Sequence, residues 1–173
     1  MGLGQTMMSV LALGMLATVM LTVNTNTGDA NTAVQMSQYR IMAASLATST
    51  LERATGLAYD QATVASDVPG TSSFTVPQYL GVETGEIDSV ENTFNDFDDY
   101  AHFHKWVKAD TVFFRSADFR VWSTVDYVTI TGGAVVTSTA AQTYSKRITV
   151  YVASPYMNDT LKYSTIYSYW FFR

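Results

Sequence analysis

Apolar side chains crowd the start of the chain: Met7, Met8, Val10, Leu11, Leu13, Met15, Leu16, Val19, Met20, Leu21 and Val23, with no Asp, Glu, Lys or Arg between Met1 and Val23. A helix needs about 20 such residues to cross the hydrocarbon core of a bilayer, so the stretch is just long enough once Leu3 and the small residue before it are included. From Asn24 to Thr32 the pattern changes to Asn, Thr, Gly and Asp, whose side chains compete for backbone hydrogen bonds. The helix is expected to weaken or melt there, around Asn24, Asn26 and Gly28. Asn31 or Thr32 then caps a second helix that runs through Val34, Met36, Tyr39, Ile41, Met42, Leu46 and Leu51 to about Leu57. Its Ala-rich lining, like Gly4, Gly14 and Ala17 earlier, suits close helix packing.

Beyond the helices, Asp67 to Ser73 with Pro69-Gly70 predicts a loop, and Phe74 to Tyr79 a first strand limited by Pro77. Gly85 to Tyr100 is polar and acidic and reads as loop. Alternation follows: Phe119, Val121, Val125 and Tyr127 against Arg120, Thr124 and Asp126, then, past a Gly132-Gly133 hairpin turn, Ile148, Val150 and Val152 against Arg147, Thr149 and Tyr151. A turn over Ser154 to Asp159 leads to a last strand, Leu161 to Phe172, rich in Tyr, Trp and Phe. The pattern predicts an α+β fold, a long N-terminal helix interrupted near 24–31 and packed on a C-terminal antiparallel sheet. Residues 1–57 would form the helical domain and 58–173 a β-rich head.

Composition sharpens this picture. Of 173 residues 47% are hydrophobic and only 14% charged, and the apolar surplus sits in the first helix. A net charge of -5 with scattered Lys and Arg disfavours a nucleic-acid partner, because phosphate binding needs clustered cations. The first basic residue is Arg40, so the basic leader of a secretory signal is missing. Either the chain is already processed, with Met1 as its new N-terminus, or the segment is not a targeting signal; the first reading is preferred. The absence of Cys removes disulfides and thiolate chemistry.

These elements together resemble the type IV pilin and pseudopilin family. The most specific local likeness is Phe94-Asn95-Asp96-Phe97-Asp98-Asp99-Tyr100, similar to the Phe-Asp-Asp-x-Asp-Asp-Tyr stretch of many pilin-like heads, with Asn95 replacing one Asp. The resemblance implies a mature chain starting at Met1, which would be the site of N-methylation. It also implies assembly through the apolar helix, including Leu3, Gln5, Leu11, Gly14 and Leu16, and a locally unwound stretch at Asn24 to Asn31. Most members carry Glu at the fifth position, paired with a neighbour's terminal amine; Gln5 keeps the shape of that group without its charge.

The expected role is therefore structural. Many copies would polymerise into an extracellular filament serving adhesion, motility or surface contact. The partners would be the chain itself, the pilus assembly machinery and, before assembly, the inner membrane. The alternatives are a minor pseudopilin of a secretion or DNA-uptake machine, favoured by Gln5, and a membrane-anchored binding or enzymatic domain. No enzyme activity, cofactor or metal is expected: the sequence lacks a Gly-x-Ser-x-Gly elbow and a phosphate-binding Gly loop. His102 and His104 next to Asp96, Asp98 and Asp99 invite a metal or acid–base site, and the carboxylates alone a calcium site, but a third defined ligand and a recognised calcium-loop spacing are missing. The acids read instead as turn caps in a solvated loop. Asn158-Asp159-Thr160 is a glycosylation sequon.

Overall fold

The computed structural model describes the backbone of residues 2–111, 114–137 and 141–169, and the side chains of these residues outside 109–116 and 134–137. The fold is α+β. One helix, α1 (Leu3–Thr55), precedes strands β1 (His104–Thr111), β2 (Phe114–Thr131), β3 (Ala134–Thr137), β4 (Ser145–Ala153) and β5 (Leu161–Ser168). Residues up to Tyr39 and residues from Arg40 onward form two compact units.

In the first unit α1 runs without interruption through 24–31, contrary to the melting expected at Asn24, Asn26 and Gly28, and no second helix starts at Asn31 or Thr32. The hydroxyls that were expected to compete with the helix bond back to it. Thr22 donates to the Thr18 carbonyl at 2.9 Å, Thr25 to that of Leu21 at 3.1 Å, Thr27 to that of Val23 at 2.7 Å and Thr32 to that of Gly28 at 3.0 Å. Such i to i−4 bonds use the second lone pair of a carbonyl and leave the main-chain ladder in place. Gly28 costs a helix about 1 kcal/mol relative to Ala, too little to break a helix of 53 residues.

In the second unit α1 buries Ala43, Ala47, Thr50 and Ala54, a spacing that keeps one face of small side chains turned inward. Leu46, Thr50 and Arg53 line one cleft with Phe103, Val107 and Val121, which places this face against the sheet. The helix stops at Thr55, two residues before the expected Leu57, and the Gly56 amide closes its last turn on the Glu52 carbonyl at 3.2 Å.

The segment from Phe74 to Tyr79 is not a strand. Single 3-10 turns form at Thr71–Ser73 and Pro77–Tyr79, and Pro77, which lacks an N–H, takes the first position of the second turn. Phe74 is nonetheless buried, by packing on Tyr59 at a ring distance of 5.0 Å.

The sheet order is β1-β2-β4-β5, every pair antiparallel, with β3 paired to the end of β2. The 18-residue β2 serves three partners in turn: Phe114 to Trp122 face β1, Arg120 to Tyr127 face β4, and Val128 to Thr131 face β3. Gly132 and Gly133, with φ of 60° and 81°, make the expected hairpin turn between β2 and β3. The expected alternation holds: Phe119, Val121, Val125 and Tyr127 of β2 and Ile148, Val150 and Val152 of β4 are buried. Trp170, Phe171 and Phe172, expected to extend the last strand, lie outside the described residues.

Candidate functional site

The sequence singled out two regions, the apolar stretch of α1 and the acidic loop. In the first, all twelve large apolar side chains from Leu3 to Val23, among them Leu11 and Leu16, are between 54% and 81% exposed. Burying one such side chain is worth about 1.5–3 kcal/mol, so this surface strongly favours a lipid or protein cover. The Ser and Thr hydroxyls between them need no outside partner: Thr6 bonds the Leu3 carbonyl, Ser9 that of Gln5 and Thr18 that of Met15. Gln5 and Gly14 lie within the stretch, and open space surrounds Gly14; Met1 lies outside the described residues. By length and composition α1 can cross a membrane, as an anchor or a signal would.

The second region, Phe94 to Tyr100, is not the solvated loop expected. Asp96, Asp98 and Asp99 have no exposed surface, and Phe94, Phe97 and Tyr100 sit in the core. The rings anchor it: Phe94 meets Tyr100 edge-on at 4.9 Å, and Phe97 lies 5.1 Å from Tyr167. The backbone is tied at both sides. Ser123 donates its hydroxyl to the Tyr100 carbonyl at 2.6 Å, and the Phe97 amide donates to the carbonyl of Ala58 at 2.9 Å.

Asp96 and Asp99 cap turns, as expected, whereas Asp98 caps none. One Asp96 oxygen accepts the amides of Asp98 at 2.8 Å and Asp99 at 3.3 Å, and one Asp99 oxygen accepts those of Asn95 at 2.8 Å and Asp96 at 3.0 Å. Glu86 accepts the Asn95 side-chain amide and the Glu83 backbone amide. Asp98 accepts from Lys146 at 2.5 Å, and Lys146 also donates to Asp60 at 2.7 Å and to the Tyr59 carbonyl at 2.9 Å.

Lys146 is wholly buried on β4, and Asp60, equally buried, also receives the Tyr127 hydroxyl and the amide and hydroxyl of Thr75. The rings of Tyr59 and Tyr127 lie 4.6 and 5.1 Å from the ammonium. Burial first, and the Asp60 carboxylate next, hold both phenols protonated far above the usual range.

What remains is a cluster of carboxyl groups with, among the described residues, a single cationic partner. One oxygen from each of Glu83, Asp96 and Asp98 lie within 4.8 Å of one another, as do oxygens of Glu83, Glu86 and Asp99. Among the described residues the only ion pair to these five acids is Lys146 with Asp98. Burial, followed by the charges of Asp98 and Asp99, pushes Asp96 up to about 10. Burial, followed by a contact with Glu86, pushes Glu83 up to about 8, and burial brings Asp99 up to about 6.

His102 and His104 take no part in these acid clusters. Both are exposed; His104 opens β1 while His102 precedes it in the turn, so they do not share a strand face. Asn158 is exposed in the turn before β5, where Arg40 of α1 pairs with its neighbour Asp159 at 3.1 Å.

Sequence reasoning missed Lys146, Asp60, Glu83 and Glu86. Lys146 left a readable signal: it lies two residues from Ile148 and four from Val150, so it falls on the inward face of the strand. The sequence matches no family model, no curated protein and no solved structure.

Proposed function

We propose that this chain is a type IV pilin-like filament subunit, whose copies bundle through the apolar part of α1 and display the residues from about 58 onward at the filament surface. The observation that carries this reading is the charge-free stretch from Leu3 to Val23. Its large apolar side chains are all open, its Ser and Thr hydroxyls bond within the helix, and it continues in one helix into a folded head.

Such a stretch suits two solvents in succession. Lipid tails and neighbouring apolar helices are alike in polarity, so exchanging one for the other depends mainly on packing and shape. The inner membrane would hold the chain before assembly, the assembly machinery would extract it, and the cell surface would be its destination. The likeness of Phe94 to Tyr100 to the pilin-head motif supports the same reading.

The test is fractionation of producing cells. The chain should be found both in membranes and in filaments sheared from the surface, and loss of the chain should remove those filaments. Gln5 favours a second reading, a minor pseudopilin, because the charged partner usual at that position is replaced by an amide. In that case the chain would be scarce in the sheared material and would not polymerise alone.

A further inference from the structure

Three acids of the loop between Leu80 and Phe103, Asp96, Asp98 and Asp99, are each held in place by one oxygen while the other is left without a donor. Asp96 and Asp99 use one oxygen to cap backbone amides, and Asp98 uses one for Lys146. Their second oxygens, and Oε2 of Glu83, are buried and lack a hydrogen-bond partner among the described residues; so does the carbonyl oxygen of the half-buried Asn95 side chain. A buried polar atom without a partner costs about 1–3 kcal/mol, and more when it is charged. Asp88 Oδ1, outside the two triads, is in the same state; the four orphaned oxygens of Glu83, Asp96, Asp98 and Asp99 are therefore a defect unless protons or a bound cation satisfy them.

We propose that this loop is a calcium site, with Glu83, Glu86, Asp96, Asp98 and Asp99 as its carboxylate ligands. The two triads, joined at Glu83, supply oxygen atoms only, which suits a hard cation, and the described His side chains lie outside them. Calcium accepts six to eight oxygens in irregular arrangements, whereas magnesium demands near-octahedral order and retains its water. An irregular, largely buried loop of carboxylates fits the former. The ion would fasten the Phe94–Tyr100 motif, which is already bonded to Ala58 and Ser123, and so lock the start of the head onto the sheet.

The experiment uses the full chain in detergent, stripped with EDTA and titrated with CaCl2 or MgCl2 by calorimetry and by thermal melting. Saturable calcium binding is expected, with Tm raised by roughly 5 °C or more once calcium exceeds its Kd about a hundredfold. Glu83→Gln should weaken calcium binding at least tenfold without lowering the Tm measured in EDTA. Asp96→Asn keeps the oxygen that caps Asp98 and should lose the calcium response in the same way. No binding heat and an unchanged Tm in millimolar calcium would overturn the site. Wild-type binding by both variants would place the ion elsewhere, and an equal response to magnesium would overturn its assignment to calcium. None of these readouts depends on polymerisation.

Discussion

The Lys146 ammonium lies 2.7 Å from an Asp60 oxygen, both side chains wholly buried, and so joins strand β4 to the chain just past the end of α1. The same ammonium reaches Asp98 and the Tyr59 carbonyl, which makes it the point where helix exit, acidic loop and sheet meet. Lys146→Met would leave Asp60 and Asp98 buried without their counter-charge. Removing one partner of a buried pair costs about 3–5 kcal/mol. Denaturant unfolding of the full chain in detergent should show a loss of that size; a loss below about 1 kcal/mol would mean that the pair is not buried in solution.

Gly81 has a φ of +139°, and a Cβ there would stand 3.0 Å from Cδ2 of His102. Gly81→Ala should destabilise the head by about 1–3 kcal/mol through backbone strain. Adding His102→Ala removes the contact but leaves the strain, so the double variant should recover only part of the loss in thermal melting.

With calcium removed, the raised carboxylates make stability depend on pH. Glu83 and Asp96 have folded values of about 8 and about 10, above their ordinary ones of 4.5 and 3.8, because burial and neighbouring acids disfavour their charged forms. A group whose folded pKa is raised contributes stability that is present below its unfolded pKa and lost as pH rises through the folded one. In EDTA the Tm should therefore fall between pH 5 and pH 8. Calcium should flatten or reverse that fall.

Continuity of α1 has its own test. Gly28 meets no atom that a Cβ would strike, so Gly28→Ala should strengthen the helix by about 0.5–1 kcal/mol. Amide exchange at residues 24–31 should slow severalfold. Fast exchange, unchanged by the variant, would mean that the segment is melted in the isolated chain.

Leu16→Lys places a charge in an apolar stretch of α1 that is only just long enough to span a bilayer. A Lys at the centre of a span costs about 2.5–3.5 kcal/mol on insertion scales. The variant should leave the membrane fraction while its head keeps the wild-type melting temperature.

The parts legible in the sequence were those governed by local periodicity. Phe119 to Tyr127 and Ile148 to Val152 show the period of two of a half-buried strand, and the burial follows it. Strand β1 was missed because it is an edge strand: His104, Lys105, Trp106 and Lys108 are all exposed, so its two faces differ too little to alternate. Asn24 to Thr32 was misread because composition reports the competition for backbone bonds but not its outcome, and here the Thr hydroxyls bond back into the helix.

The acids of the loop were misread for a different reason. Asp96 and Asp99 cap turns as a local reading foresees, but the burial of these two and of Asp98 depends on Phe94, Phe97 and Tyr100 docking on distant residues. Glu83 stands thirteen residues before Asp96 and joins the cluster only through the fold.

The measurement that bears most directly on the filament reading is cryo-electron microscopy of filaments sheared from producing cells, with mass spectrometry of their main component. The account predicts helical filaments built mainly of this chain, with the Leu3 to Val23 helices bundled at the centre and the β-rich heads outside. Filaments that lack the chain, or a core formed by the heads with the apolar helices open to water, would contradict it.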